Sequence, residues 1–172
     1  MTPQDLAKMP LLAALRASGD ETIETLRALP PDSFVRVCYA GGWSGREVVA
    51  HLAAIEWTYP RLIDLARQAA VRHDEPQGTS GNAGAAAPLS GGIDAYNARQ
   101  VARRADVSLS ALIDEFARNR AATIAAVEMI DEPLLAVSIR SAGGIEGSLA
   151  DVLRWAAVDH VLGHVRDITS GA

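Results

Sequence analysis

The sequence predicts an all-α domain, a four-helix bundle with a long crossover loop between its second and third helices. Three observations predict it. Of 172 residues 49% are hydrophobic but only 5% are aromatic. Alanine and leucine dominate that apolar fraction, which favours packed helices over sandwiches of β-branched and aromatic residues. Apolar residues recur at helical spacing through four long stretches. Between these stretches lie helix breakers: Pro30-Pro31, a Gly/Ser/Pro-rich run over 73–92, and Pro133. The length suits one domain over 1–172, long enough to bury a core without disulfides or a structural metal.

The first helix is expected from about Pro10 to Leu29, because Leu11, Leu12, Leu15, Ile23, Leu26 and Leu29 recur near helical spacing. A short turn from Thr2, with Pro3 at its first position, precedes it. Pro30-Pro31 ends it, since neither residue donates a helical hydrogen bond. Residues 32–43 connect to Ser44-Gly-Arg-Glu47, a capping-box pattern that opens a second helix from Ser44 to about Arg72. Pro60 lies inside that pattern and predicts a bend near Glu56–Pro60, or two abutting helices. The run 73–92 is an unusually long loop, and loops of that length are disordered or functional. The third helical region spans about Ile93–Ile130, with a break near Asp106-Val107-Ser108 and Ser108 as a new N-cap. Leu134–Gly147 reads as irregular, with at most a short hairpin-like excursion. Ser148-Leu-Ala-Asp151 caps the last helix, which runs to about Ile168.

Composition excludes several function classes. Cys38, the single cysteine, rules out an internal disulfide and a Cys-based zinc knuckle. It has no local histidine and reads as a small, half-buried residue. A formal charge of −5 leaves no basic footprint for nucleic acid. No apolar run approaches the roughly 20 residues of a membrane span. The first ten residues lack a basic segment followed by an apolar one, so a cytoplasmic protein is expected.

Of four histidines, His73 falls in the polar loop and is expected at the surface. His160 and His164 are one turn apart in the last helix, on the stripe of Leu149, Leu153, Ala156 and Ala157. Two neighbouring imidazoles in a core each need partners for a donor and an acceptor. A divalent ion meets that need by taking one nitrogen from each. His51 lies on an apolar stripe of the second helix with Val48, Ile55, Thr58 and Leu62. Together these residues can form a three-histidine set with open coordination positions, suited to zinc or nickel. A His-x3-His pair also arises structurally, each ring bonded to a carbonyl or a carboxylate. Asp159 and Asp167 are close enough in sequence for that, and periodicity does not bring His51 to the pair.

The stretch Gly42-Trp43-Ser44-Gly-Arg-Glu47-Val-Val-Ala-His51-Leu52 resembles the signature of the DinB-like superfamily, which includes mycothiol-dependent maleylpyruvate isomerase N-terminal domains. Asp159-His160-Val-Leu-Gly-His164 resembles that group's C-terminal His-x3-His, and Tyr96-Asn97-Ala98 with the helix after Ser108 is similar too. The resemblance covers about residues 10–168. It implies a four-helix bundle with one divalent metal held by His51, His160 and His164. It also implies a metal-dependent thiol S-transferase or thiol-dependent isomerase, using a low-molecular-weight thiol on an electrophilic small molecule. A metal-dependent hydrolase on the same scaffold and a non-catalytic metal-binding stress or detoxification protein are the alternatives.

Further residues carry weaker expectations. Glu47 belongs to the capping box, Glu56 faces away from the site, and Trp43 anchors the start of its helix. Tyr96 and Asn97 are candidate pocket residues. Arg99, Arg103 and Arg104 either hold an anionic substrate or form a solvated face. Trp155, Val158 and Leu162 make the far face of the last helix more apolar than a free surface requires. A homodimer contact or packing by another segment explains that.

Overall fold

A computed structural model describes residues 5–39, 42–73 and 91–170. It is helical apart from one small hairpin among these residues. The first helix, α1, spans Asp5–Ala28 and so begins before Pro10, which lies inside it. An interior proline costs about 3 kcal/mol, but Leu11, Leu12 and Leu15 just after it are buried. Each of these contributes about 1.5–3 kcal/mol, so packing outweighs the lost bond. The turn expected from Thr2 lies outside the described residues. After Pro30 a 3-10 turn, Pro31–Phe34, buries Ser33 and Phe34.

The capping box forms as expected. The Ser44 N–H donates to the Glu47 carboxylate over 2.8 Å, and Ser44 Oγ accepts from the Glu47 N–H. It opens α2, Gly45–Glu56. Gly45 permits a tight approach to the 3-10 turn: a Cβ there would meet the Ser33 carbonyl oxygen at 2.5 Å. Helix α2 ends before Pro60, which occupies the first position of α3, Pro60–His73, where its missing donor costs little. The expected bend is therefore two abutting helices. From residue 74 to 90 the expected crossover loop lies outside the described residues, as does the His73 side chain.

The third region divides into α4, Gly92–Ala102, and α5, Leu109–Glu128, with Ser108 capping the Ala111 N–H over 3.2 Å. A 3-10 turn, Glu132–Ala136, leads into an antiparallel hairpin of β1, Ser138–Arg140, and β2, Glu146–Ser148. Ile139 pairs with Gly147 and is buried in the core. Helix α6, Leu149–Arg154, starts at the Ser148–Asp151 cap. It passes through a π-helical segment, Trp155–Asp159, into α7, His160–Ser170.

Helix α1 packs on α5, α6 and α7; α2 packs on α4, α5 and α7. Helix α3 lies on α5, α6 and the hairpin. Between them runs a core from Leu12, Leu15 and Ile63 to Leu149, Leu153 and Ala157. It continues through Val48, Leu112 and Ile168. Inside it lies a buried ion pair. Arg120, on the Leu112–Phe116 stripe of α5, is 3% exposed, and Glu56 at the end of α2 is 0% exposed. Arg120 Nε and Nη2 donate to the two Glu56 carboxylate oxygens over 2.7 and 3.0 Å. Nη1 donates to the Leu15 carbonyl and Ser18 Oγ, and Nη2 donates also to the Ala157 carbonyl at 2.5 Å. All five guanidinium donors are therefore used. No helix among the described residues is long and apolar enough to cross a membrane.

Candidate metal centre

His51 is on the inward face of α2, beside fully buried Leu52 and one turn after Val48. His160 and His164 start α7, one turn apart. The packing of α2 on α7 brings these three rings together. His160 Nε2 and His164 Nε2 are 3.0 Å apart. The His51 ring centroid is 5.6 Å from that of His160 and 5.1 Å from that of His164, each edge to face. One nitrogen from each of the three can be chosen so that all lie within 4.8 Å of one another.

The π segment sets this arrangement. The His160 N–H donates to the Trp155 carbonyl, five residues back. The extra residue rotates α7 relative to α6, so Ala156, Ala157 and Val158 are all buried in succession. Two carbonyls of the segment accept from side chains. Tyr59 donates its hydroxyl to Ala156 over 2.7 Å, and Arg120 donates to Ala157. Trp155 is also re-aimed. At about 100° per residue, five residues place it some 140° round an α-helix from His160. Through the π turn its ring instead stacks on the His160 imidazole, centroids 5.5 Å apart and planes 20° apart. The apolar far face expected of Trp155, Val158 and Leu162 therefore does not exist as one surface. Trp155 covers His160, Val158 is in the core, and Leu162 packs against that core.

Burial controls the charge of the three rings. It pushes His51 down to about 3, with His164 and His160 adding like-charge repulsion. It pushes His160 down to about 4, with His164 adding to the fall and the Ala156 carbonyl and Asp167 partly opposing it. His164 is also lowered by burial, and Asp167 counters that. The rings are therefore neutral near pH 7, the form that ligates a cation. Asp167 Oδ2 lies 3.3 Å from His164 Nδ1, an ion-pair distance without hydrogen-bond alignment. This leaves His164 Nε2 facing His160. Asp159 is exposed and has no hydrogen bond or ion pair to any of the three rings.

These residues fit a divalent ion. The Nδ1 of His51 is buried without a hydrogen-bond partner among the described residues, an imbalance that costs energy in a core. A cation would give His51 Nδ1 the partner it lacks among the described residues. Metal–nitrogen bonds of about 2.1 Å in a tetrahedral site put ligand nitrogens about 3.4 Å apart. The observed spread of 3.0 to 4.8 Å brackets that separation. An all-nitrogen donor set suits zinc, nickel and similar borderline ions.

Aromatic rings wall the cluster. Trp43 packs on His51 at 5.2 Å and Tyr39 on His164 at 4.9 Å. Trp43 thus covers a candidate ligand as well as anchoring the start of α2. Cys38, in the same segment, is half-buried, and burial followed by Asp167 pushes its thiol pKa up, so it is a poor nucleophile. On the other side a cavity opens against His51 and His160, lined in part by Tyr96 and Asn97. Arg99, Arg103 and Arg104 are not among its lining; Arg104 instead pairs with Glu115 over 2.6 Å. Sequence reasoning missed Tyr39, Tyr59, Arg120 and the true position of Trp155. An arginine on the Leu112–Phe116 stripe was a readable signal for Arg120, and three consecutive apolar residues at 156–158 were one for the π segment. Tyr39 had no such signal.

Residues 11–169 match the family described as the mycothiol maleylpyruvate isomerase N-terminal domain. No curated protein matches the chain. Among solved structures it is similar to a mycothiol-dependent maleylpyruvate isomerase, with 19% identity and a TM-score of 0.64 over 98% of this chain and 63% of that one. A histidine-to-alanine mutant of a mycothiol-dependent maleylpyruvate isomerase matches with 18% identity and the same TM-score and coverage. The chain thus covers less than two thirds of those structures, and at this identity the likeness is one of fold.

Proposed function

The chain belongs to the mycothiol maleylpyruvate isomerase N-terminal domain family, and from that premise we propose that it is a metal-dependent enzyme of thiol chemistry. It joins a low-molecular-weight thiol to an electrophilic small molecule, or isomerises such an adduct. His51, His160 and His164 are the metal ligands in this reading, and zinc or nickel is the ion. The scaffold is read as a four-helix bundle with α1, α2–α3, α5 and α6–α7 as its columns. The single observation that carries the proposal is the meeting of three neutral imidazoles, two buried and one half-buried, of which His51 and His160 face a cavity.

Bound there, a divalent ion would supply Lewis acidity, lowering the pKa of a thiol so that its nucleophilic thiolate is available at neutral pH. The chain's own residues do the rest. Asp167 lies against the outer nitrogen of His164 and steadies that ring. The Tyr59 hydroxyl holds the Ala156 carbonyl beside His160. Tyr39, Trp43 and Trp155 surround the imidazoles and limit water. The cavity receives the organic substrate.

Elemental analysis of natively purified protein, followed by zinc and nickel titration of the metal-free form, tests the reading. One ion per chain is expected, with affinity reduced at least about a hundredfold in His160→Ala. Incubation of the loaded protein with a thiol and an electrophile should give product only when the thiol is present. Hydrolysis without thiol, or no retained metal, would sink the proposal.

A further inference from the structure

The cavity against His51 and His160 has a volume of about 520 Å³, ample for a small organic ligand. Its wall is apolar. Ile55, Leu62, Ile93, Tyr96, Ile145 and Trp155 supply most of it, from four separate stretches of chain. Among the described lining residues Arg61 is the one Asp, Glu, Lys or Arg, and no carboxylate faces it there. The Arg61 guanidinium lies 3.8 Å from the centroid of the Trp57 ring, and no ion pair to it occurs among the described residues. Asn97 adds a buried side-chain oxygen without a hydrogen-bond partner among the described residues. Arg61 follows His51 by ten residues, roughly three helical turns along the α2–α3 wall. Arg61 is exposed, so the cation stands at the rim of a mainly apolar chamber whose wall carries His51 and His160.

We infer that this cavity takes an elongated hydrophobic monoanion. An aromatic or branched aliphatic body fills the space between Trp155, Tyr96 and the Ile55–Leu62 wall. A single carboxylate meets Arg61, and a polar group hydrogen-bonds Asn97. Small dianions are disfavoured, because their second charge has no counter-charge and their bulk leaves the apolar wall wet. The inference deepens the enzymatic reading, since the body of such a ligand then extends toward His51 and His160. It rests on that reading for the role of the ligand, but not for its binding.

Calorimetric titration with 4-phenylbutyrate, 4-phenylbutan-1-ol and maleate tests it, on metal-free and on zinc-loaded protein. The phenylbutyrate is expected to bind at least about tenfold more tightly than maleate in both forms. Arg61→Gln should weaken the acid about three- to tenfold and leave the alcohol unchanged. Ile93→Glu, at a position exposed enough to keep the fold, should weaken the acid more than the alcohol. Maleate binding as well as phenylbutyrate would overturn the inference, as would equal effects of Arg61→Gln on acid and alcohol. Phenylbutyrate binding by a protein that never retains metal would leave this inference standing and remove the enzymatic one; metal retention without phenylbutyrate binding does the opposite.

Discussion

The His51 ring falls from its ordinary value of 6.5 to about 3, and that has a signed consequence. Between those values the unfolded chain holds a proton that the folded chain refuses, so lowering the pH favours unfolding. The stabilising contribution is whole above about pH 6.5 and is lost as the pH falls toward the folded value; His160, at about 4, acts in the same direction. Urea unfolding of the metal-free protein should therefore give a midpoint that drops from pH 7 to pH 5. His51→Gln should flatten that dependence. Asp167→Asn tests the support of His164: metal affinity should fall about 10- to 100-fold while the helical circular dichroism is unchanged. An unchanged affinity would make Asp167 a bystander. At this scale the sequence was informative where a residue's environment depends on its own helix. His51, His160 and His164 all faced inward by periodicity alone. Their convergence depended on which helices pack together, which periodicity does not encode, so only the family resemblance reached it. Asp159 and Asp167 looked alike on paper, yet only Asp167 is on the histidine side.

Among the elements, the legible features are those written in short-range chemistry. The Ser44–Glu47, Ser108 and Ser148–Asp151 caps formed where their residue types placed them, and Pro60 divided α2 from α3. Pro10 misled because its cost is local while the burial that outweighs it is tertiary. A single helical period puts Trp155 on the far face of the last helix, and the π segment moves it onto His160. Packing by another segment, one of the two explanations for that face, holds for Val158 and Leu162, which join the core that includes Leu11 and Leu12 of α1. Segments of the π kind are frequent at functional sites because they re-aim side chains. Tyr59 meets one of its carbonyls. Tyr59→Phe should cost about 1 kcal/mol of stability by removing that hydrogen bond. If Tyr59 also positions His160, the variant should weaken metal binding and alter the visible spectrum of the cobalt-substituted protein. An intact spectrum with lowered stability would confine Tyr59 to packing.

Across the whole molecule, Arg120 links α5 to α1, α2 and the π segment through five hydrogen bonds. Breaking one side of a buried pair leaves a charge uncompensated, so Glu56→Gln should lower the unfolding free energy by about 3–5 kcal/mol. Chemical denaturation measures it, and a loss below about 1 kcal/mol would show that the pair contributes little, as exposed ion pairs do. The candidate ligands lie far apart in the chain, on α2 and α7. An ion bridging them binds only the folded form, so saturating zinc should raise the melting temperature and chelator should reverse the rise. A general helical architecture was legible from composition and punctuation, but how the helices pack around the ion pair was not, since that joins residues as distant as Leu15 and Arg120.

The chain has three tryptophans, and each lies by the candidate centre or its cavity. Trp43 packs on His51, Trp155 stacks on His160, and Trp57 underlies Arg61. The intrinsic emission of this protein is therefore a built-in reporter of site occupancy. An open-shell ion at the imidazoles would quench Trp43 and Trp155, closed-shell zinc would not, and an anion in the cavity would change Trp57 and Trp155 while leaving Trp43 as it was.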